Sequence, residues 1–427
     1  MKRSKLHIGK EKMMKDKLNS INVVAVGVSG RGKGMLRRLL PMEDVNIVGI
    51  SDLYEDRMEE AAALVEEARG VKPVLKRDYR ELLEMDGVDA VMTAASWTAH
   101  ARICLDAMNA GKYVGTEVGG ATSIEECWEL VRTSERTGMP CMMLENCCYG
   151  RPEMAVLNMI SKGMFGELIH AEGGYRHDLR DEVCMGRENR HYRLANYLNR
   201  TGDVYPTHEL GPIAKYLGIN RGNRMVSLSS MASKARGAAA WVAQHKPDDE
   251  YLKGREFALG DIVVTNIKCA HGEVITLYHD TTLPRPYSRG NLLQGTKGIW
   301  MEDKQGVYFD GVSPKPHEWE SIEKYYKRYD HPLWKKYIRE GVKEGHGGMD
   351  HLVLRGFVNA VKKQIQTPID VYDTASWMAI TTLSEDSVNM GGLPVAIPDF
   401  TNGRWIEREP SPDTPFNLDR VCRAAYL

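Results

Sequence analysis

The alternation of apolar strands with helices between residues 21 and 144 constrains the fold of this chain most. The run 21–28 (INVVAVGV) is apolar and β-branched, as expected of a buried parallel strand, and similar strands are predicted at 45–52, 88–94, 112–115 and 141–144. Helices are predicted between them at 30–40, 54–69, 79–85, 100–110 and 124–137. This alternation gives βαβ units with right-handed crossovers. The pattern predicts an α/β fold whose N-terminal part is a doubly wound parallel sheet of the Rossmann type.

The remainder of the chain has a different pattern. Strands are predicted at 226–230, 261–270, 273–280 and 298–308, and helices at 151–163, 351–363 and 372–390. Val263, Thr265 and Ile267 alternate with polar neighbours, which indicates a sheet covered on one face. We therefore expect a C-terminal α+β domain with a large, mostly antiparallel open sheet. The predicted division is a basic arm over 1–20, the Rossmann domain over 21–150 and the second domain over 151–427.

Composition excludes several classes of partner. The 427 residues carry 57 basic and 58 acidic side chains, so no basic excess indicates binding to nucleic acid. The first twenty residues lack the apolar core of a signal peptide, and no run of 18 apolar residues occurs, so no membrane segment is expected. None of the eight cysteines forms a CxxC pair, and we interpret them as reduced thiols of a cytoplasmic protein.

A glycine-rich turn, Gly27 to Gly32, follows the first predicted strand. It departs from the GxGxxG fingerprint because Ser29 holds the second glycine position, so the motif alone is weak. Its place between a strand and a helix nevertheless suits a pyrophosphate. Asp52 ends the second strand twenty residues later, where a carboxylate can accept hydrogen bonds from ribose hydroxyls and repel a 2′-phosphate. These features favour NAD over NADP. The alternative interpretations are that the glycine-rich segment is only a tight turn and that Asp52 is an ordinary turn aspartate.

Polar and aromatic residues also follow the later strands. They are Trp97 to His100 after the third strand, Glu117 and Val118 after the fourth, and Glu145 and Asn146 after the fifth. Open α/β sheets bind ligands at the carboxyl ends of their strands. Together these positions outline one crevice, although each taken singly is explained as well by a structural role.

At this point the chain resembles the Gfo/Idh/MocA oxidoreductases, most of which carry Glu-Lys-Pro after the fourth strand. Here Val118 stands in place of that catalytic lysine. In this departure the chain is similar to glycoside hydrolase family 109, the NAD-dependent α-N-acetylgalactosaminidases. The segments that carry this resemblance are GGYRHD at 173–178, HYR at 191–193, YPTH at 205–208, LGP at 210–212, INRG at 219–222, PRPYS at 284–288, GHGGMD at 345–350 and PDF at 398–400.

The resemblance implies roles for matching positions. NAD contacts are implied at Gly30, Arg31, Asp52, Trp97, His100, Glu117, Val118, Asn146 and Tyr205. Contacts to a small glycoside substrate, held by the C-terminal domain, are implied at Tyr175, Arg193, Tyr205, Pro206, Thr207, His208 and Tyr287. The catalytic candidates are His208, Tyr205, Tyr175, His177 and Glu145.

The expected chemistry is hydrolysis with a recycled cofactor. NAD takes a hydride from carbon 3 of the sugar, the resulting ketone acidifies the proton on carbon 2, the aglycone leaves, water adds and the hydride returns. His208 or Tyr205 would handle the carbon-3 hydroxyl, Tyr175 the carbon-2 proton and His177 would assist it. Arg193 would bind a sugar hydroxyl or the N-acetyl oxygen.

Other interpretations remain open at this stage. A sugar or inositol dehydrogenase with net redox turnover is the main alternative, and a non-catalytic sugar or NAD(H) sensor is another. No known ligand spacing supports zinc at His177, His191 and His208, so no metal is expected. His346 is interpreted as a turn residue. Association of copies through the C-terminal sheet is a further expectation.

Overall fold

The computed structural model describes residues 17–343 and 345–421. Most of the predicted basic arm and Cys422 lie outside these residues. The seven described cysteines are buried and unpaired with one another. No described helix combines the length and the apolarity needed to cross a bilayer.

The N-terminal part contains six parallel strands in the order β3-β2-β1-β4-β5-β6. Its strands are β1 (Ile21–Val26), β2 (Val45–Ser51), β3 (Val74–Leu75), β4 (Ala90–Thr93), β5 (Tyr113–Thr116) and β6 (Cys141–Met143). Its helices are α1 (Gly30–Leu39), α2 (Glu55–Arg69), α3 (Tyr79–Leu83), α4 (Trp97–Asn109) and α5 (Ile124–Thr137). Strand order reverses between β1 and β4, so a crevice opens there at the carboxyl ends of the strands.

The C-terminal part is built on a nine-stranded sheet in the order β14-β13-β12-β11-β7-β10-β9-β8-β15. The strands are β7 (Leu168–Arg176), β8 (Met225–Ala232), β9 (Ile262–Cys269), β10 (Val274–Asp280), β11 (Leu292–Gly295), β12 (Gly298–Met301), β13 (Gly306–Phe309), β14 (Glu320–Ser321) and β15 (Val395–Ala396). β7 and β10 pair in parallel, and the other described neighbours pair antiparallel. The predicted fold class is confirmed.

Helices surround this sheet and also reach the N-terminal part. They are α6 (Arg151–Ser161), α7 (Arg180–Cys184), α8 (Arg193–Asn199), α9 (Thr207–Tyr216), α10 (Gly237–His245), α11 (Glu323–Tyr329), α12 (Pro332–Glu340), α13 (Met349–Lys363) and α14 (Val371–Asn389), with 3-10 turns at Asn146–Tyr149 and His346–Gly348. α13 packs against α1 and β1, and α14 packs against α5 and β6. These two late helices therefore pack against the first sheet and its helices.

Two predicted elements differ in the structure, and among the elements that were missed β7 matters for the site. The strand predicted over 298–308 is a hairpin, β12 and β13, whose connection places Gln305 at a φ of 45°. The helix predicted from His100 begins three residues earlier, because Ser96 adopts the extended backbone of an N-cap. β7 was not predicted, since Gly173 and Gly174 weaken its strand pattern. Both glycines are required by close packing, because a Cβ would lie 2.5 Å from the Cβ of Glu209 or from the carbonyl oxygen of Tyr278.

Candidate active site

The turn after β1 requires glycine at two positions. Gly27 has a φ of 79°, and a Cβ on it would lie 2.5 Å from the backbone nitrogen of Ala95. A Cβ on Gly32 would lie 2.0 Å from the carbonyl oxygen of Gly27. Ser29 is the N-cap of α1, yet its side chain makes no capping hydrogen bond. Ser29 and Gly30 line a cavity of about 590 Å³, so the N-terminus of α1 borders a space that suits an anion such as a pyrophosphate.

Asp52 lies beside a second cavity of about 580 Å³. Its Oδ2 accepts a hydrogen bond from the backbone N–H of Val28 at 2.8 Å, and its Oδ1 accepts from that of Tyr54 at 3.1 Å. The carboxylate therefore fixes the turn while retaining lone pairs for ribose hydroxyls. Tyr54, Arg57 and Tyr192 line the same cavity. Tyr192 also lines the cavity at Gly30, so the two spaces adjoin.

A segment of the C-terminal part, Gly186–Tyr192, forms part of the wall of both cavities and is called the strap here. Arg190 pairs with Asp56 at 2.6 Å, and Arg57 donates a hydrogen bond back to a carbonyl oxygen of the strap at 2.9 Å. The guanidinium carbons of Arg57 and Arg190 lie 4.6 and 4.4 Å from the centre of the Tyr54 ring. The strap thus ties the two parts of the chain together beside Asp52.

Arg31 connects the crevice to α13. Its guanidinium contacts Glu117 at 2.7 Å and Asp350 at 2.9 Å. Asp350 also accepts from Asn146 at 2.7 Å and pairs with His346 Nδ1 at 2.8 Å. Burial works to raise the pKa of Asp350, but His346 and Arg31 hold it well below its usual range. Asp350 was not predicted as a site residue, and the GHGGMD motif that contains it was the only signal.

Trp97 and His100 shape the loop after β5. One ring nitrogen of His100 lies 3.0 Å from the Ala95 carbonyl oxygen, and the other lies 3.4 Å from that of Gly119. A Cβ on Gly119 would lie 2.7 Å from Trp97 Nε1. Val118, at the position where lysine is usual in related dehydrogenases, is buried and lines the cavity. It offers no group that transfers a proton.

Three predicted catalytic residues form a hydrogen-bonded chain. Glu145 Oε1 lies 2.8 Å from His208 Nδ1, and His208 Nε2 lies 3.2 Å from the Tyr205 hydroxyl. Burial works to raise the pKa of Glu145, but the charge and hydrogen bond of His208 outweigh it and lower that pKa. An ionised carboxylate accepts the proton on Nδ1, so Nε2 is free to accept the proton of Tyr205. The order carboxylate, imidazole, hydroxyl is that of a general-base relay.

Tyr175 and His177 form a second pair beside this chain. The Tyr175 hydroxyl lies 3.2 Å from His177 Nδ1, and the Tyr175 and Tyr205 rings are 4.4 Å apart. Burial raises the pKa of Tyr175, and burial together with the charge of Arg193 lowers the pKa of His177. The ring of Tyr287 lies 5.0 Å from that of His177. The hydrogen-bonded chain that ends at Tyr205 and the pair of Tyr175 and His177 therefore lie side by side in one pocket.

Arg193 lies over the aromatic rings of this pocket. Its guanidinium carbon is 5.4, 5.8 and 5.1 Å from the ring centres of Trp97, Tyr175 and Tyr205. The residue is buried, and its Nη1 makes no hydrogen bond to any described residue. Its Nε lies 3.0 Å from a carboxylate oxygen of Glu182 but makes no hydrogen bond to any described residue. A buried guanidinium with a free donor suits a polar ligand atom.

His208 lies in the first turn of α9. Pro206 is the N-cap of this helix and Thr207 is fully buried. Neither Pro206 nor Thr207 lines the two cavities, so their predicted contact with the sugar stays a prediction. Glu209 is fully buried, and neither of its carboxylate oxygens has a hydrogen bond among the described residues. Burial raises the pKa of Glu209 well above its usual value, and the charge of Arg289 only partly offsets this.

The three histidines considered for zinc do not form a ligand group. His191 lies on the strap, 3.8 Å from a carboxylate oxygen of Glu182. Among the described residues, the one group of three potential ligands is Glu145, Cys147 and His208.

Comparison with known proteins gives the family. A model of the C-terminal domain of glycosyl hydrolase 109 matches residues 149–407, and a model of the NAD-binding Rossmann fold of an oxidoreductase family matches residues 21–145. The chain is 40% identical over 409 residues to an α-N-acetylgalactosaminidase of Tannerella forsythia, covering 90% of this chain and 87% of that protein. It is 39% identical over 416 residues to a glycosyl hydrolase family 109 protein of Stenotrophomonas maltophilia, covering 91% of each.

Solved structures with this fold include dehydrogenases. A levoglucosan dehydrogenase in complex with NADH and L-sorbose superposes with a TM-score of 0.67 at 18% identity, covering 90% of this chain and all of that one. A myo-inositol 2-dehydrogenase of Lactobacillus plantarum gives a TM-score of 0.63 at 16% identity, with 89% and 100% coverage. At this identity the likeness supports the fold alone. The sequence matches decide the family, and the chain belongs to glycosyl hydrolase family 109, with an NAD-binding Rossmann domain preceding the family's C-terminal domain.

Proposed function

We propose that this NAD-dependent glycoside hydrolase releases α-linked N-acetylgalactosamine with no net oxidation. The observation that carries the proposal is the chain Glu145, His208, Tyr205, which opens on the same cavity as the turn at Gly30. A conventional glycosidase needs two carboxyl groups facing the scissile bond. Glu145 is fully buried and engaged with His208, and Glu209 is fully buried beneath Gly173. Neither fits that arrangement, whereas a proton relay beside a nicotinamide site fits a redox-assisted route.

The residues of the crevice fit NAD. Gly30 borders open space at the N-terminus of α1, Asp52 retains free lone pairs, and Glu117 and Asp350 fix Arg31 beside that helix N-terminus. When bound, NAD would supply a hydride acceptor for carbon 3 of the sugar and later a hydride donor to the same carbon. All other steps require proton transfers by side chains.

Tyr205 and His208 would hold the proton of the carbon-3 hydroxyl. Burial raises the pKa of Tyr205 well above its usual value, so the phenol passes a proton on only to an adjacent base. His208 Nε2, 3.2 Å away, is that base, and Glu145 stabilises the resulting imidazolium. In the return direction the same groups give the proton back.

Tyr175 would take the proton from carbon 2, with His177 Nδ1 accepting the proton of its hydroxyl. The lowered pKa of His177 keeps its ring neutral and able to accept. Arg193 Nη1 would bind the N-acetyl oxygen or a hydroxyl, since this buried donor lacks a partner among the described residues. Loss of the carbon-1 substituent by elimination and addition of water would complete hydrolysis.

The proposal is tested with a purified sample and no added NAD. We expect release of p-nitrophenol from the aryl α-N-acetylgalactosaminide, loss of activity when bound NAD is stripped, recovery on adding NAD, and incorporation of deuterium at carbon 2 in D₂O. One equivalent of NADH per sugar would instead support a dehydrogenase. NAD binding without turnover on a glycoside panel would support a sensor.

We predict that Arg190→Ala speeds the loss of bound NAD by about tenfold. The variant removes the exposed ion pair with Asp56 and the cation–π contact with Tyr54, which together hold the strap against the cavity beside Asp52. The measurement is NAD retained after repeated buffer exchange. Arg132→Ala, which removes a more exposed ion pair with Glu125 on α5, is the control and should retain NAD as the wild type does. Equal retention in both variants would reject this role of the strap.

A cytoplasmic location is part of this proposal. The seven described cysteines are buried without disulfides, which suits a reducing compartment. Fractionation of cells that produce the full chain tests it, and recovery outside the cytoplasm would reject it.

A further inference from the structure

Cys147 is a buried thiol that the proposed mechanism does not use. It lies two residues after Glu145, in the 3-10 turn that follows β6. Its Sγ, a carboxylate oxygen of Glu145 and a ring nitrogen of His208 lie within 4.8 Å of one another. Thiolate, imidazole and carboxylate are the three side-chain groups that Zn²⁺ binds in proteins.

Two further observations indicate a ligand at this cluster. Glu145 is fully buried and its Oε2 makes no well-formed hydrogen bond to any described residue, although the Thr207 side chain lies near the carboxylate and helps to lower its pKa. The Cys147 thiol has only a weak contact, at 3.6 Å, with the Asn146 side-chain oxygen. His208, one of the three potential ligands, and the neighbouring Asn146 both line the cavity of about 590 Å³, and water from that cavity would serve as the fourth ligand.

Charge also favours a divalent ion here. Loss of the thiol proton leaves a thiolate and a carboxylate, whose two negative charges equal the charge of Zn²⁺. The assembled site is then neutral overall, which avoids the large cost of burying net charge.

We propose that Zn²⁺ binds Cys147 Sγ, His208 Nδ1 and Glu145 and thereby inhibits the enzyme. The Cys147 S–H bond breaks and its proton goes to solvent, while Zn–S, Zn–N and Zn–O bonds form without any change of oxidation state. The proton on His208 Nδ1 is displaced, and neutral His208 carries its proton on Nε2 instead. Nε2 then donates to the Tyr205 oxygen and no longer accepts its proton. The metal site shares Glu145 and His208 with the proposed proton relay and adds Cys147, which the relay does not use, so the loss of activity rests on the proposed role of His208.

Co²⁺ titration of the NAD-loaded protein tests metal binding without reference to turnover. We expect a thiolate-to-cobalt charge-transfer band at one equivalent, displaced by Zn²⁺. Cys147→Ser keeps the size of the side chain and should abolish the band, with Cys147→Ala as a second variant if the serine form folds poorly. Cys148→Ala is the matched control, because this neighbouring buried thiol packs against Gly211 and is not in the ligand group.

Glycosidase assays then test inhibition. Zn²⁺ should inhibit the wild type reversibly, with recovery on adding a chelator, and Cys147→Ser should raise the inhibition constant by roughly 10- to 100-fold or more while leaving metal-free turnover unchanged. Mg²⁺, which prefers oxygen ligands, should not inhibit. Absence of the cobalt band, or equal Zn²⁺ inhibition of the wild type and Cys147→Ser, overturns the proposal. If the protein lacks glycosidase activity altogether, the cobalt band still decides whether the site exists.

Discussion

Replacing His208 with asparagine is expected to slow glycoside cleavage by about 10²- to 10⁴-fold, the range that a positioned general base contributes. The amide keeps a polar side chain next to Glu145 but cannot accept the proton of Tyr205 at the required basicity. The hydroxyl of Tyr205 then has no base at 3.2 Å, and oxidation at carbon 3 becomes the slow step because its hydroxyl cannot lose its proton readily. Turnover and deuterium exchange at carbon 2 should fall together, because exchange requires prior oxidation at carbon 3.

The hydrogen-bonded chain of Glu145, His208 and Tyr205 also predicts that substitutions within it have non-additive effects on turnover. Glu145→Gln should also slow turnover strongly, since a neutral amide no longer stabilises the imidazolium. The double variant His208→Asn with Glu145→Gln should be about as slow as His208→Asn alone, because residues that act as a unit lose their function together. His245→Asn is the control, as this exposed histidine stacks on Trp241 outside the site. The NAD content and the thermal unfolding temperature of all these variants should match those of the wild type. Unchanged turnover and exchange in His208→Asn would reject the assignment.

The sequence predicted the Rossmann half well because its strands are buried on both faces and read as continuous apolar runs. β4 and β6 follow that rule, and the residues after them fall at the crevice for a topological reason. β7 is the contrary case, since its two glycines are required by packing partners more than thirty residues away. The hairpin of β12 and β13 was missed because a two-strand turn without glycine at Gln305 looks like one long strand.

In the candidate site, likewise, the positions at strand ends were predictable, whereas their partners distant in sequence were not. Glu145 lies at a predicted strand end, but its partner His208 is 63 residues away, and only family resemblance connected them. Asp350 lies 319 residues from Arg31, and no local pattern indicates that an aspartate at the start of α13 pairs with an arginine at the start of α1. Such pairings depend on how α13 packs against α1, which periodicity does not encode.

The INRG motif at 219–222 is one of the segments that carry the family resemblance, and its arginine has a structural role. Arg221 contacts Asp373 at 2.6 Å, Asp370 at 3.0 Å and Asp419 at 2.6 Å. Lys215 lies 2.7 Å from Asp373 and 3.0 Å from Asp419. The Lys215 and Asp373 side chains are only 3% and 1% exposed. This buried ionic network joins α9, α14 and the end of the described chain.

Asp373→Ala is therefore expected to lower the free energy of unfolding by about 3–5 kcal/mol, the cost of leaving a buried charge without its partner. Lys215 and Arg221 would both lose a carboxylate that no water can replace without opening the helix contact. The measurement is the urea midpoint at constant slope, followed by circular dichroism. Glu125→Ala, which removes an exposed partner of Arg132, is the control and should cost no more than about 1 kcal/mol.

The effect of Asp373→Ala should also depend on pH in one direction. Burial works to raise the pKa of Asp373, but Arg221 and Lys215 outweigh it and hold the pKa well below its usual range. A carboxylate whose folded pKa is depressed contributes stability that is fully present above its unfolded pKa of about 3.9, and this stability is lost as the pH falls toward the folded value. The difference in stability between wild type and Asp373→Ala should therefore be constant between pH 6 and 8, taken as roughly two or more units above that unfolded value, and should shrink below about pH 4. A difference that stays constant through acid would mean that Asp373 contributes by packing alone, and the ionic account of the network would be wrong.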